Sequence, residues 1–170
     1  MPLTVATLRN RAHPLSIAAL SIAVILGLSP CTVKAQVPIP NVHQCVGFNY
    51  FTHQPMQVWQ ITGNDPAWAI SNWNRVSGIP YTEYTQMYFA LPPLMQKLTT
   101  YHECAHHSIP TGDEFLATCW ALHQLRFSKS ELAQIASFHQ NYQGPVGPQY
   151  GGSGAALWAG VVAMCPADAT

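Results

Sequence analysis

The clearest alternation of apolar and polar positions lies between Pro92 and Pro110. One set of residues recurs at the spacing of a helix face: Leu94, Leu98, Tyr101 and Ala105. An adjoining stripe holds Met95, Thr99, His102 and His106. Pro92-Pro93 suits a first helical turn, and Pro110 ends the pattern. The pattern predicts a helix with one buried stripe and a second stripe that lines a cleft.

The chain after Pro110 predicts three more helices. The first starts at residues 111–113 and runs to about Phe127. Ser128-Lys129-Ser130-Glu131 has the form of a capping box and opens the next helix, which Gly144-Pro145 stops. A glycine-rich loop at residues 147–154 precedes a short helix at residues 155–164.

The segment before the main helix predicts short strands. Residues 58–61 and 79–84 have strand composition, whereas residues 67–76 are predicted to form a helical turn or two capped by Asp65. Trp68 and Trp73 in that turn are expected in the core. The whole pattern predicts an α+β domain of predominantly helical character.

The first 35 residues predict a cleaved signal peptide, which leaves residues 36–170 as one domain. A basic start with Arg9 and Arg11 precedes an apolar run at residues 15–28, and Val33 and Ala35 are small residues at the cleavage positions. The chain is therefore expected to be secreted or periplasmic, without membrane contact after cleavage.

Two other readings of this N-terminal segment remain open. A membrane anchor is disfavoured because the apolar run is shorter than the roughly 20 residues that span a bilayer. Acylation of Cys31, as in a lipoprotein, is disfavoured because Pro30 fits that signal poorly.

Charge argues against nucleic acid as a partner. Of the seven Lys and Arg residues, Arg9, Arg11 and Lys34 lie in the predicted signal peptide. The predicted mature chain keeps all seven acidic residues and is therefore mildly acidic. Nucleic-acid binding requires a cluster of basic residues, and those that remain form none.

The cysteines of the predicted mature chain are Cys45, Cys104, Cys119 and Cys165. An even number in an oxidising compartment predicts two disulfides, and three pairings are possible. The preferred pairing joins Cys45 to Cys165 and Cys104 to Cys119. A structural zinc on Cys104 and Cys119 is the alternative, disfavoured because the neighbouring His and Glu residues already supply a ligand set.

The candidate chemistry lies in His102-Glu103-Cys104-Ala105-His106. Two imidazoles one helical turn apart can bind one metal ion, and Glu103 lies beside them as a general base. Catalytic zinc takes three protein ligands and keeps one position open, so a third ligand is needed, with Glu114 the first choice. Zinc would lower the pKa of its bound water toward about 7, and Glu103 would accept that water's proton.

Other interpretations of these residues stay open at this level. His102 and His106 can be ordinary histidines on a half-buried face. Thr111-Gly112-Asp113-Glu114 also fits a capping box, in which Glu114 would bond the backbone and Asp113 would become the third ligand. His107 points about 100° away from the ligand stripe and is expected in the second shell or at the surface.

Histidines and tyrosines beyond these two helices are weaker candidates. His123 and His139 are expected to be structural. His139, Tyr142 or Tyr150 could stabilise an oxyanion if it faced the cleft.

The two helical blocks resemble a known signature. His102-Glu103-Cys104-Ala105-His106-His107, followed by the block from Glu114 to Ala121, is similar to the paired motifs of bacterial neutral zinc metallopeptidases of the gluzincin type. Those motifs run His-Glu-Cys-Gly-His-His and Glu-x-x-Ala-Asp-Cys-Trp-Ala. The resemblance implies a small zincin-like domain, with His102, His106 and Glu114 as zinc ligands, Glu103 as catalytic base and a peptide or protein as substrate.

One departure from that family concerns Thr118, which stands where the family has Asp. That Asp commonly orients a ligand histidine from the second shell, and Thr118 can accept the same hydrogen bond without negative charge. The resemblance implies a secreted zinc metallopeptidase. The departure at Thr118 leaves weak or absent activity as an alternative. The alternatives are a zincin-scaffold binding protein without catalysis and a disulfide-stabilised helical domain without metal.

Overall fold

The computed structural model describes residues 45–109 and 111–170. The predicted signal peptide at residues 1–35 and Cys31 lie outside these residues. Within the described part of the chain, every helix is too short or too polar to cross a bilayer.

Two small sheets precede the long helix. Strands β1 (Val46–Phe48) and β2 (Pro55–Gln57) pair antiparallel. Strands β3 (Trp59–Thr62), β4 (Ala69–Trp73) and β5 (Pro80–Tyr84) form the second sheet in the order β3-β5-β4. The central strand β5 runs parallel to β3 and antiparallel to β4.

Both strand predictions are confirmed, whereas the prediction of a helical turn or two at residues 67–76 is wrong. Strand β5 lies at the predicted residues 79–84, and β3 lies one residue beyond the predicted 58–61. Residues 67–76 are not helical, because β4 occupies their middle. Asp65 does accept a hydrogen bond from the Ala67 N–H, so the turn is present. The chain then extends, and pairing with β5 satisfies the backbone groups that a helix would otherwise satisfy.

Six α-helices follow the sheets in the described residues, and they hold about half of them. They are α1 (Gln86–Phe89), α2 (Pro93–Ser108), α3 (Glu114–Leu125), α4 (Lys129–Asn141), α5 (Gly154–Met164) and α6 (Pro166–Ala169). A short 3-10 helix, Pro148–Tyr150, lies between α4 and α5. The prediction of a predominantly helical α+β domain is confirmed.

The predicted helix boundaries agree well with these elements. Pro92 is the N-cap of α2, and the capping box that opens α4 is present, with Ser128 and Glu131 bonding each other's backbone N–H. Helix α4 ends at Asn141, three residues before Gly144.

Helix α2 lies between the other helices and the sheets. Its predicted core stripe is buried at Leu98 and Ala105 and half-buried at Leu94 and Tyr101. The main apolar cluster takes in Leu94, Leu98 and Tyr101 together with Leu122 of α3, Ile135 of α4 and Val161 of α5. A smaller cluster of Cys45, Val58 and Cys104 lies on the sheet side of α2. This central position fixes the helix that carries His102 and His106.

Both disulfides differ from the preferred pairing. Cys45 bonds Cys104, with Cα atoms 5.6 Å apart, and Cys119 bonds Cys165, with Cα atoms 5.9 Å apart. Cys104 is on the side of α2 that faces β1, whereas Cys119 is on the side of α3 that faces α5. The two predicted partners therefore point into different clusters. The alternative of a structural zinc on Cys104 and Cys119 is wrong as well, because both sulfurs are in disulfides.

Candidate metal centre

His102 and His106 lie one turn apart on α2, and their side chains converge. Their Nε2 atoms are 3.2 Å apart. His102 is buried and His106 is half-buried, so the two nitrogens meet at the edge of the core. The prediction that the two histidines converge on one face of the helix is therefore confirmed.

Glu114 supplies the third atom from the first turn of α3. Its Oε2 lies 3.0 Å from the Nε2 of His102 and 3.3 Å from the Nε2 of His106. Among the described residues these three form the one group placed to hold a metal ion. The prediction of His102, His106 and Glu114 as one cluster thus agrees with their positions.

Asp113 caps helix α3, which leaves the Glu114 carboxylate free to join the cluster with His102 and His106. Asp113 is the N-cap of α3, and its Oδ1 accepts hydrogen bonds from the N–H groups of Phe115 and Leu116. The alternative in which Glu114 caps the helix and Asp113 binds the metal is wrong. The roles are reversed because the residue just before the helix is best placed to accept from its first N–H groups.

Both histidines are held in the tautomer that a metal requires. The Nδ1 of His106 lies 2.7 Å from the carbonyl oxygen of Thr111, which can only accept a hydrogen bond. The hydroxyl of Thr118 donates to the carbonyl of Glu114, so it accepts from the Nδ1 of His102 at 2.9 Å. Each Nδ1 therefore carries a hydrogen, and each Nε2 faces the cluster, where it presents a lone pair when its ring is neutral.

The three converging atoms are all electron-pair donors. Burial alone would lower the pKa of His106, but the Glu114 carboxylate and the Thr111 carbonyl raise it to about 9. Burial likewise opposes the charge on Glu114, yet hydrogen bonds with His102 and His106 hold the pKa of Glu114 well below its usual value. The site therefore keeps a positive charge at its centre, which a proton on His106 or a bound cation can supply.

The spacing of the cluster suits a small cation. Ligands about 2.0 to 2.2 Å from a tetrahedral zinc ion lie about 3.3 to 3.5 Å from each other. The three observed separations, 3.0, 3.2 and 3.3 Å, form a triangle of nearly this size. Two imidazoles and one carboxylate form a ligand set typical of catalytic zinc.

Tyr150 makes a further contact with Glu114. Its hydroxyl lies near the Glu114 carboxylate, and burial together with the charge of Glu114 raises the pKa of Tyr150 well above its usual value. The phenol is therefore neutral. The 3-10 helix that carries Tyr150 ends at Gly151, whose φ of 81° favours glycine. The sequence pattern does not reveal this contact, because it joins the glycine-rich segment to α3 across the cleft.

Glu103 lies beside the cluster and lines the cleft. The residue is 5% exposed, and its backbone carbonyl accepts a hydrogen bond from the Ser71 hydroxyl at 2.8 Å. Ser71 belongs to β4, so this bond ties the motif turn of α2 to the sheet. Glu103 therefore lines the same cleft as the three residues of the cluster, although its carboxylate is not a member of the ligand triangle.

The cleft has a volume of about 750 Å³ and is mostly apolar. Its apolar wall includes Trp68, Met95, Leu98 and Leu157. No Lys or Arg is among the described residues that line it. The cleft is large enough for several side chains of a polymeric substrate.

His139 and Tyr142 of the predicted oxyanion candidates also line the cleft. His139 stacks on Trp158 at 5.7 Å between ring centroids, and burial, with a smaller contribution from His102, lowers the pKa of His139 to about 4. Its Nδ1 is buried without a hydrogen-bond partner among the described residues. The tautomer with hydrogen on Nε2 avoids burying an unpaired N–H, so His139 is a neutral donor in the cleft wall.

His107 and His123 lie away from the metal cluster. His107 is fully buried, its Nε2 donates to the Tyr81 carbonyl at 3.2 Å, and its ring packs edge-on to Trp73. Burial lowers the pKa of His107 to about 4. The expectation of a second-shell or surface position is wrong, because this face of α2 packs on the sheets. His123 is exposed and lies 3.3 Å from Asp168, consistent with the structural role expected of it.

Comparison of the chain with protein-family models, with curated proteins and with solved structures finds no match.

Proposed function

We propose that this chain is a secreted zinc-dependent peptidase of the zincin type, in which His102, His106 and Glu114 bind the metal and Glu103 is the catalytic base. One observation carries the proposal. Two imidazole nitrogens and a carboxylate oxygen converge within 3.3 Å, and the Nδ1 atoms of the two imidazoles are held by Thr118 and Thr111. Three such atoms stay this close only when a proton or a cation lies between them, and a metal ion bound by all three would supply that positive charge.

The residues of the cleft supply the other requirements of hydrolysis. The Glu103 carboxylate would accept the proton of an attacking water and pass it to the leaving amine. The His139 N–H would donate to the oxygen of the substrate carbonyl, on which negative charge develops. The apolar wall would bind substrate side chains and exclude bulk water. A zinc ion, when bound, would lower the pKa of a coordinated water toward about 7 and polarise the carbonyl.

The two disulfides support an oxidising compartment. Disulfides persist mainly in secreted, periplasmic or other oxidising environments. This agrees with export through the predicted signal peptide, which remains part of the proposal.

Thr118 favours a second candidate function, a zincin-scaffold binding protein that holds metal without turnover. Its hydroxyl positions His102 but brings no negative charge to the imidazole. A carboxylate at this place would make the histidine a stronger ligand, and partners of this kind commonly change metal affinity or activity by about 10 to 100 fold.

Metal analysis and peptide cleavage separate these functions. The chain from Gln36 to Thr170 is purified without chelator, and its metal content is measured by mass spectrometry. Cleavage is measured on a mixed pool of fluorescence-quenched peptides. We expect about one equivalent of zinc in the unchanged chain and in Glu103→Gln, and loss of zinc in His106→Ala. Cleavage should fall by about 10²-fold or more in Glu103→Gln.

Glu83→Gln is the matched control, because it removes a carboxylate from β5, outside the cleft. It should leave both metal content and cleavage unchanged. Metal without cleavage by the unchanged chain would support the binding protein instead. A chain that binds neither zinc nor another divalent metal would contradict both candidates.

A further inference from the structure

Two six-residue loops with the same hydrogen-bond pattern lie side by side on the sheet end of the molecule. We call residues 49–54 and 74–79 the paired loops. Each begins with an asparagine whose N–H donates to the carbonyl of the sixth residue: Asn49 to Gln54 at 3.0 Å, and Asn74 to Ile79 at 2.8 Å. In each loop the N–H of the fifth residue donates to the carbonyl of the first. The fifth residues, His53 and Gly78, both have positive φ, 54° and 69°.

The asparagine side chains make each loop rigid. The Oδ1 of Asn49 accepts from the N–H groups of Phe51 and Thr52, at 2.9 and 3.0 Å. The Oδ1 of Asn74 accepts in the same way from Val76 and Ser77, both at 2.9 Å. Each loop therefore satisfies its own polar backbone groups and leaves its second and third side chains directed outward.

The paired loops are also joined to each other. The N–H of Tyr50 donates to the Gly78 carbonyl at 2.8 Å, and the Nδ2 of Asn49 donates to the Ser77 carbonyl at 2.9 Å. A Cβ on Gly78 would lie 2.7 Å from Asn49 and 2.7 Å from Phe51, so glycine is needed at this contact for space as well as for its φ. The two tips therefore form one preorganised surface.

The side chains at the tips are apolar, aromatic or cationic. Val76 is 91% exposed, the largest value among the exposed apolar residues, and Tyr50 and Phe51 are more than half exposed. Arg75 precedes Val76 and is exposed. Arg75 is also the only Lys, Arg, Asp or Glu in residues 45–62 and 66–82. A projecting apolar tip with one cation and no acidic neighbour in these segments is unusual for a surface that faces only water.

We propose that the paired loops dock the protein on an anionic lipid surface, with Phe51 and Val76 inserted among the acyl chains. Tyr50 would lie at the headgroup level, where amphipathic aromatic rings are favoured, and Arg75 would contact anionic headgroups. A lipid surface is the occupant that these side chains favour, because exposed apolar and aromatic groups beside a single cation match acyl chains, the headgroup level and anionic headgroups. The rigid backbone limits the entropy lost on docking.

This docking is peripheral and independent of the proposed peptidase function. It requires neither a membrane-spanning helix nor metal. It differs from the expectation of no membrane contact after signal cleavage. The loops lie on a different part of the chain from the cleft, since residues 49–54 and 74–79 are absent from its lining.

Vesicle co-sedimentation tests the proposal directly. The chain from Gln36 to Thr170 is used, because the apolar run at residues 15–28 could itself bind lipid. Vesicles contain phosphatidylcholine alone or an equimolar mixture with phosphatidylglycerol. We expect the unchanged chain to bind the mixed vesicles, and the Phe51→Ser/Val76→Ser variant to bind them at least about tenfold more weakly. Arg75→Gln should weaken binding to mixed vesicles about fivefold and leave binding to neutral vesicles unchanged.

The control is Leu116→Ser/Met164→Ser, which removes two exposed apolar side chains from α3 and α5. It should bind vesicles as the unchanged chain does. Each variant should keep its fold because the replaced side chains are exposed. Thermal unfolding of each variant checks this expectation. No binding to mixed vesicles, or an equal loss in the control, would overturn the proposal. Retention of binding in the folded Phe51→Ser/Val76→Ser variant would overturn it as well.

Discussion

Thr118 controls the orientation of His102 through a single hydroxyl group. The hydroxyl accepts from the imidazole and donates to the Glu114 carbonyl, so both of its bonds lie within the metal cluster. The same hydroxyl therefore links a ligand on α2 to the helix that carries the third ligand. Removing it would leave a buried imidazole N–H without its partner, which costs about 1 to 3 kcal/mol.

Thr118→Val should lower zinc affinity about 10 to 100 fold, because the imidazole of His102 loses the group that fixes its tautomer. Thr118→Ser keeps the hydroxyl and should bind zinc nearly as well as the unchanged chain. Competition with a chromophoric chelator measures the affinities.

Thr99→Val is the control, since Thr99 is also buried in the cleft wall but is not among the groups bonded to the ligand histidines. Its zinc affinity should not change. An unchanged affinity in Thr118→Val would show that His102 needs no orienting partner.

The start of α3 is the element on which the third ligand depends. Asp113 holds the first turn by accepting two backbone N–H groups, and Glu114 projects from that turn toward α2. The connection is only seven residues long between His106 and Glu114. The position of Glu114 therefore rests on how well the first turn of α3 is formed.

Asp113→Ala should destabilise the fold by about 1 kcal/mol and also weaken zinc binding several-fold, since the turn that carries Glu114 frays. Urea unfolding and zinc titration measure the two effects. Asp113→Asn retains a capping oxygen and should keep most of the fold stability and most of the zinc affinity.

Ser128→Ala removes the corresponding cap from α4, which carries no ligand. It should lower stability by a similar amount and leave zinc affinity unchanged. If Ser128→Ala loses as much zinc affinity as Asp113→Ala, the loss results from lower stability of the whole fold. Fraying of the first turn of α3 would then not be its cause.

At the scale of the whole molecule, the two disulfides join distant parts of the chain to the motif helices. Cys45–Cys104 links β1 to α2 across 59 residues, and Cys119–Cys165 links α3 to the C-terminal end across 46. In the chain-entropy model, loops of these lengths each stabilise the fold by about 4 kcal/mol. That is a large share of the roughly 5 to 15 kcal/mol that stabilises a domain.

Cys119→Ala/Cys165→Ala should therefore lower the free energy of unfolding by up to about 4 kcal/mol, measured in urea without reductant. Saturating zinc should recover part of this loss, about 2.7 kcal/mol at a free concentration 100 times Kd, because only the folded chain holds the ligands together. The same zinc addition should not stabilise His106→Ala. Unfolding that is insensitive to both the disulfide and zinc would contradict this account.

Features that depend on residues close together in the chain could be predicted from the amino-acid sequence alone. Helix periodicity placed His102 and His106 on one face of α2, and the caps at Pro92 and Ser128 marked two helix starts. These are local properties, since a turn of helix and its cap involve neighbours within four residues.

Features that depend on contacts between distant residues follow from the packing of the elements and could not be predicted from the sequence. Glu114 and Asp113 are adjacent in sequence, and only the packing of α3 against α2 places one as ligand and the other as cap. Strand β4 forms because β5 satisfies its backbone, and the disulfides follow the faces on which the cysteines lie. Such outcomes are set by the sum of many weak contacts between elements, which no local pattern of residues contains.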